Sequence, residues 1–352
     1  MNEDSRREDK TPVVQMFVVG LIASALGVAA GLAIQWFPEA GATQAGPIDH
    51  LYDVLIWASV PIFVLVCTIV IFSVVKFRMR PGEETLDGPP IHGNTRLEVI
   101  WTAVPAIILV VLCAYAWVVL VDIEEAHANE MRVNVTGQQF AWTFEYTQAE
   151  GKPIKSSQLY LPEDRPVRFY VKALDVIHDF WVPAFRMKVD AVPGIETRYR
   201  VTPNRVGTYP VVCAELCGLG HAVMRGTARV VPAADFEKWI AEQKAPAEAA
   251  AGSGAGDEAD GKTLFTDGNG TATACGACHT LGDAGTTSET GPNLDETLAD
   301  KDAAYIEEGI VAPDKTIADG FQAGVMPKNY GDTLSDEELE ALVKYLGEVA
   351  GK

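Results

Sequence analysis

The sequence predicts a multidomain membrane protein: a transmembrane helical hairpin, then a β-sandwich, then a small all-α domain. Three observations predict it. Residues 54–75 and 99–121 are apolar runs without a charged side chain. Residues 131–232 cluster β-branched and aromatic residues between turn signals. A small-residue stretch at 244–260 then separates that region from a compact acidic segment, 261–352. With 352 residues the chain is long enough for two or three domains.

Hydrophobic residues make up 48% of the chain beside 22% charged, which requires the apolar residues to be concentrated in blocks. "VLIWASVPIFVLVCTIVIFSVV" at 54–75 and "VIWTAVPAIILVVLCAYAWVVLV" at 99–121 each exceed the ~20 apolar residues that cross a bilayer. Pro61 and Pro105 do not oppose this, because neighbouring helices can satisfy the carbonyls that a proline frees. An earlier block, 13–37, is uncharged and rich in Gly and Ala. It reads as a third span or a long signal sequence with "AGA" at 40–42 as a cleavage site, and its length favours the span. Segment 1–48 is therefore set apart from the hairpin, 49–124. Lys76, Arg78, Arg80 and Arg96 flank the loop between the firm spans, so that loop is expected in the cytoplasm and everything after 122 outside. Arg6, Arg7 and Lys10 agree with this if the first block spans.

In 125–243, "MRVNVTGQQFAWTFEY", "VRFYVKAL", "TRYRVTP" and "GTYPVVCAELCG" read as strands, with "PEDRP", "VPGIE" and "TPNRVG" as turns between them. Several short strands of this kind predict a sandwich. "AADFEKWIAEQ" closes the region as a short helix, and 244–260 reads as a flexible linker. From 257 onward there are 20 acidic against 6 basic residues, so this part carries −14 of the chain's net −20. Such a surface suits solubility, or steering of a basic partner, and no nucleic-acid partner is expected.

Six cysteines fall into three pairs. Cys67 and Cys113 lie inside the spans and read as small apolar packers. The other two pairs lie in the outer region, where a disulfide is the ordinary expectation. At 213–224 the spacing is Cys-x3-Cys-x3-His-x2-Met. Thiolates, imidazole and thioether form a soft set suited to copper, whereas zinc rarely takes a methionine. Two thiolates four positions apart could also bridge a pair of metal ions, and His178 in "DVIHDFWVPAF" is the obvious second imidazole.

The segments "LEVIWTAVPAIIL", "GQQFAWTFEY", "DVIHDFWVPAFRMKVDAVPG" and "CAELCGLGHAVM" resemble subunit II of haem-copper cytochrome c oxidases, over about residues 50–240. The resemblance implies a cupredoxin-like domain holding the dinuclear copper centre CuA, with Cys213 and Cys217 bridging the metals. It makes His178 and His221 terminal ligands, Met224 a weak ligand to one copper and the carbonyl of Glu215 a ligand to the other. The Glu215 carboxylate resembles one that helps bind magnesium at the interface with subunit I. Glu98 matches a carboxylate marking the entrance of a proton channel completed by subunit I; as an alternative it caps a helix. One departure stands out. The family usually carries two aromatics before the tryptophan of "GQQFAW", the first serving as the site where electrons arrive, whereas this chain has Phe140 and Ala141 before Trp142. Phe140 and Trp142 are expected to serve packing instead.

"CGACH" at 275–279 is the attachment pattern of c-type haem: two thiols add to the haem vinyl groups and His279 binds the iron. With "GPNL" at 291–294, "GVMP" at 324–327 and an amphipathic final helix with a Ser335/Glu338 capping box, the region resembles a class I cytochrome c. That resemblance implies covalent haem on Cys275 and Cys278, axial ligands His279 and Met326, and the Pro292 carbonyl orienting His279. As the alternative, Met326 is a core residue.

The combined resemblance implies an electron-transfer subunit of a proton-pumping terminal oxidase in a bacterial membrane, with CuA, covalent haem c and a magnesium ion at the interface. This chain itself has no catalytic residue. Its partners are subunit I with haem and CuB, subunit III, and cytochrome c or a cytochrome bc complex as donor. A CuA-type nitric oxide reductase and a free-standing membrane electron carrier are the alternatives.

Overall fold

The computed structural model describes residues 11–79, 81–82, 92–147, 153–252, 260–269 and 272–351. Arg6, Arg7, Lys10 and Arg80, used above to orient the hairpin, lie outside the described residues. The chain divides into two compact units, residues 1–36 with 46–123, and residues 37–45 with 124–352.

The first unit is helical: α1 (Thr11–Ala33), α2 (Ala45–Lys76) and α3 (Thr95–Ile123). All three are long and apolar enough to cross a membrane. Pro61 and Pro105 sit inside α2 and α3, as the expected tolerance of proline allows. Phe63, Val110 and Trp117 are exposed along their faces, an apolar surface too extensive for contact with water. This is a membrane protein. Helices α1 and α2 approach closely where α1 carries Gly27 and Gly31. A Cβ on either would fall 2.8 Å from Val60 Cγ1 or 2.9 Å from Ile56 Cγ2, so only glycine allows this spacing.

The second unit begins with the sandwich. In chain order its strands are β1 (Met131–Gln138), β2 (Ala141–Tyr146), β3 (Ile154–Ser156), β4 (Leu159–Pro162), β5 (Val167–Ala173), β6 (His178–Trp181), β7 (Lys188–Ala191), β8 (Thr197–Val201), β9 (Gly207–Cys213) and β10 (Arg225–Val231). One sheet has the order β3-β2-β1-β5-β8 and the other β4-β10-β9-β6-β7, with β1–β5 and β4–β10 parallel. Alternation places Val133, Val135, Phe169 and Val171 inward from the first sheet. Phe180 from the second meets Trp142 at 5.4 Å and Phe169 at 5.5 Å between ring centroids. Residues 37–45 pack on this domain: Ala42 bridges Pro203 and is 2% exposed, and the Gly41 amide donates to the Ala184 carbonyl.

A polar cluster closes one end of the sandwich. Arg200 donates to Glu130 at 2.6 Å and to the carbonyl and carboxylate of Glu124 at 3.1 and 3.3 Å. Burial favours the neutral form of Glu130, but the His127 amide and the Arg200 guanidinium outweigh it and hold its carboxyl below the usual carboxylate range. Arg200→Met should therefore destabilise this domain by about 1–3 kcal/mol. The native advantage is complete above the unfolded carboxyl value and vanishes as pH falls through the lowered folded value. Unfolding midpoints of the two chains should converge in acid; a gap that widens in acid would refute this role for Glu130.

Helix α4 (Ala233–Gly252) corrects one expectation. The helix does not stop near 243, and residues 244–252 are helical rather than a flexible linker, because the five alanines there favour helix despite Pro246. Residues 253–259, the rest of that expected linker, lie outside the described residues. The C-terminal domain then contains α5 (Gly261–Asp267), α6 (Leu294–Thr297), α7 (Ala303–Val311), α8 (Tyr330–Thr333) and α9 (Asp336–Val349). The expected capping box starts α9: the Glu338 amide donates to Ser335 Oγ at 3.2 Å and the Ser335 amide to Glu338 Oε2 at 2.8 Å. Leu342 and Leu346 of α9 pack with Phe265 of α5 and Ile306 of α7.

Candidate metal centres

The first centre forms where β6 and β9 run side by side. Their register sets Phe180 opposite Cys213, which places His178, at the start of β6, beside the end of β9. The chain then loops through Cys217, makes a single 3-10 turn at His221–Val223 and returns at Met224, whose carbonyl accepts from the Cys213 amide at 3.2 Å. Cys213 Sγ lies 3.9 Å from Cys217 Sγ, far beyond the ~2.05 Å of a disulfide, and both thiols are free. His178 Nδ1 is 3.9 Å from Cys213 Sγ, and His221 Nδ1 is 3.7 Å from Cys217 Sγ. Met224 Sδ is 3.7 Å from Cys217 Sγ, and the Glu215 carbonyl is 3.2 Å from Cys213 Sγ. All the donors expected of this segment thus converge. The Glu215 carboxylate belongs to an exposed residue.

Two residues that the pattern of ligands did not single out hold this arrangement. Asp175 Oδ1 lies 2.9 Å from His178 Nε2, so Nε2–H donates outward and the Nδ1 lone pair faces the thiols. Burial favours a neutral Asp175, but the amides of Gln139 and Val176 and the His178 ring outweigh it and keep the carboxyl low. Gln139 Nε2 in turn donates to the Cys217 carbonyl at 2.6 Å. Both residues stand in the quoted segments "DVIHD" and "GQQFAW", yet only their side-chain directions reveal the role. Burial opposes ionisation of both thiols. At Cys213, contacts with the His178 ring and with the backbone of Asp179 and Glu215 overcome it and lower the thiol; at Cys217 the neighbouring Cys213 adds to burial and raises it.

Phe140 and Trp142 are packing residues, as expected. Trp142 is 2% exposed, with its ring edge-on to His178 at 6.0 Å. Phe140 is 7% exposed and supports the ligand loop from beneath: a Cβ on Gly220 would fall 2.5 Å from its ring.

The second centre is a cavity of about 540 Å³ lined by Cys275, Cys278, His279, Pro292 and Met326 among others. Cys275–Ala277 form a short 3-10 turn, and the His279 amide donates to the Cys275 carbonyl at 3.0 Å. His279 Nδ1–H donates to the Pro292 carbonyl at 2.9 Å, which leaves Nε2 as the ring's free lone pair. A Cβ on Gly291 would fall 2.6 Å from the ring, so nothing larger than glycine fits there. Burial pushes both thiols up to about 12 and lowers the His279 ring, favouring neutral imidazole.

In the membrane unit, the Glu98 carboxylate accepts from the Asn94 amide at 3.1 Å, while Asn94 Oδ1 accepts from the Leu97 amide at 3.3 Å. Here Glu98 caps the start of α3.

Three family models match the chain. They are the transmembrane domain of cytochrome c oxidase subunit II at residues 29–119, its periplasmic domain at 153–231, and cytochrome c at 258–350. Cytochrome c oxidase subunit 2 of Thermostichus vulcanus is 34% identical, with 66% of this chain and 84% of that protein covered. The subunit 2 of Alkalihalophilus pseudofirmus is 33% identical, with 85% of each chain covered. This chain belongs to the cytochrome c oxidase subunit II family. The crystal structure of the periplasmic domain of subunit II from Bradyrhizobium japonicum is 29% identical over 34% of this chain and 97% of that one, with a TM-score of 0.32. As a subunit II, the chain is a component of a haem-copper oxidase and associates with other oxidase subunits. Its subunit II domain implies CuA and its cytochrome domain implies haem.

The residues present fit both groups. The first centre offers two thiol sulfurs, two imidazole nitrogens, a thioether and a carbonyl, with each other donor within 3.9 Å of one of the thiol sulfurs, a soft set matched to copper. The second offers an apolar cavity of haem-sized volume with two thiols, an imidazole lone pair and a thioether on its walls.

Proposed function

We propose that this chain receives electrons for a proton-pumping terminal oxidase of a bacterial membrane. They enter at the C-terminal domain from cytochrome c or a cytochrome bc complex, pass to the sandwich, and leave for subunit I, where haem and CuB reduce dioxygen to water. The single observation that carries the reading is the convergence of His178, Cys213, Cys217, His221 and Met224 within one sandwich. A quinol-oxidising relative has no use for that donor set. When bound, the copper pair and the haem each hold and release one electron.

The chain's own side chains do the rest. Cys213, Cys217, His178, His221, Met224 and the Glu215 carbonyl would hold the copper pair. Asp175 orients His178 through Nε2–H. The Glu215 carboxylate faces subunit I and contributes to a magnesium site. Cys275 and Cys278 would attach the haem, His279 and Met326 would hold its iron, and the Pro292 carbonyl fixes the His279 ring. The side facing outward is that of the sandwich and C-terminal domain, supported by the basic loop after α2; subunit III completes the complex. The first helix is retained rather than cleaved. Supporting this, α1 has a groove cut for α2 at Gly27 and Gly31, and the stretch a peptidase would need exposed contains buried Ala42.

Glu98 serves as proton entrance in addition to capping α3. The purified complex tests the whole reading. It should consume dioxygen with proton release, and a Glu98→Gln variant, which keeps the capping acceptor but loses the charge, should slow turnover and proton uptake. Reduction of nitric oxide without dioxygen consumption would overturn the oxidase assignment, and unchanged proton uptake in the variant would leave Glu98 a cap alone.

A further inference from the structure

We infer that the ligand loop 218–224 is also the fixed seat of the chain's own C-terminal domain, with Leu219 and Thr290 as positioning residues for electron passage between the two centres. The inference rests on the metal assignments proposed above.

Leu219 stands between Cys217 and His221, and 69% of it is exposed. That exposure remains with the C-terminal domain in place, and the side chain lines the same cavity as His279 and Met326. It also meets the loop that carries Met326, since a Cβ on Gly324 would fall 3.2 Å from Leu219 Cδ2. One residue thus touches both centres' surroundings at once.

A polar contact fixes the same seat. Thr290 Oγ1 donates to the Val223 carbonyl at 2.9 Å. Val223 lies between His221 and Met224; Thr290 lies two residues before Pro292, whose carbonyl accepts from His279. From His221 to His279 there is therefore a continuous route of covalent bonds with only two hydrogen bonds in it, Thr290 to Val223 and His279 to Pro292. A second contact away from the centres, Gln158 Nε2 to Thr287 Oγ1 at 3.0 Å, resists rotation about the first.

The substitution at 140 has its counterpart here. Phe140 is turned inward beneath Gly218 and Gly220, and no aromatic stands on the outer face of the loop. The C-terminal domain is seated against this loop through Thr290 and Gly324, so electrons reach the sandwich through that domain. Each passage oxidises the C-terminal domain by one electron and reduces the sandwich by one, with no bond made and no proton moved.

The test uses the full chain, loaded with copper and haem. Flash reduction of the haem is followed by the optical change at copper, and magnetic relaxation of the haem by the copper pair reports their separation. Leu219→Asp puts a charge at an apolar anchor and should slow internal transfer about tenfold or more, with weakened relaxation. Transfer should not vanish, because the covalent tether keeps the domains at an effective concentration on the order of mM. Haem and copper spectra and midpoint potentials should stay as in the unsubstituted chain, and Leu219→Met should restore the rate. Thr290→Val should slow transfer with little effect on either spectrum. Unchanged rates in both Leu219→Asp and Thr290→Val would overturn the inference. Absence of the haem or copper signal from the unsubstituted chain would instead defeat the metal assignments.

Discussion

Cys217→Ser should abolish the paired copper signal and cut turnover of the assembled oxidase by more than about 100-fold. Cys217 Sγ is the hub of the first centre, within 3.9 Å of Cys213 Sγ and 3.7 Å of both His221 Nδ1 and Met224 Sδ. Loss of a residue that merely orients a ligand typically costs about 10–100-fold, and loss of a ligand proposed to serve both metals should cost more. Serine keeps the volume but offers a hard oxygen that ionises far less readily than a thiol. Fold loss is not the expected cause, because the sandwich core around Phe180 and Phe169 does not depend on this side chain. Metal content and the magnetic signal of the purified variant decide the matter. A variant that retains two coppers with a shared electron would remove Cys217 from the centre. Asp175→Asn should act in the same direction but more mildly, since it weakens the acceptor of His178 Nε2–H without touching a ligand atom.

His279→Ala should leave the copper signal intact and lower donor-driven reduction of the sandwich by about 100-fold. The expected size follows from losing a donor held at an effective concentration on the order of mM and replacing it by collision with a dilute one. The tethered donor already contacts loop 218–224, which a dilute one must find by diffusion. Cys275 and Cys278 remain in the variant, so under the proposed assignment attachment should persist and the haem spectrum should shift rather than disappear. Turnover at the full rate with the same donor would show that electrons bypass the C-terminal domain.

The spans, the sandwich and the two ligand patterns were legible in the sequence because each is a local signal. An uncharged run of twenty-odd residues, an alternation of period two, and a Cys-x-x-Cys-His cluster are all read within one window. His178 is the instructive intermediate case. It lies 35 residues before Cys213, and what brings them within 3.9 Å is the antiparallel pairing of β6 with β9. The resemblance to a known family named it; spacing alone left it a candidate. The linker expectation failed for the opposite reason. Small residues at 244–252 resemble a spacer by composition, but Ala is also the strongest helix former, and the preceding helix propagates through this alanine run despite Pro246.

By itself the sequence determined which chemistry the chain can hold: the thiols, imidazoles and thioethers, their order, and the membrane segments before them. Only the tertiary structure decided how those groups are used. It turned Phe140 inward, aimed His178 Nδ1 at the thiols through Asp175, and fixed His279 Nε2 toward its cavity through Pro292. It also set Leu219 and Thr290 across the gap between the two centres. Side-chain direction and contacts between residues far apart in the chain depend on how the sheets and helices pack, and packing is not a local property.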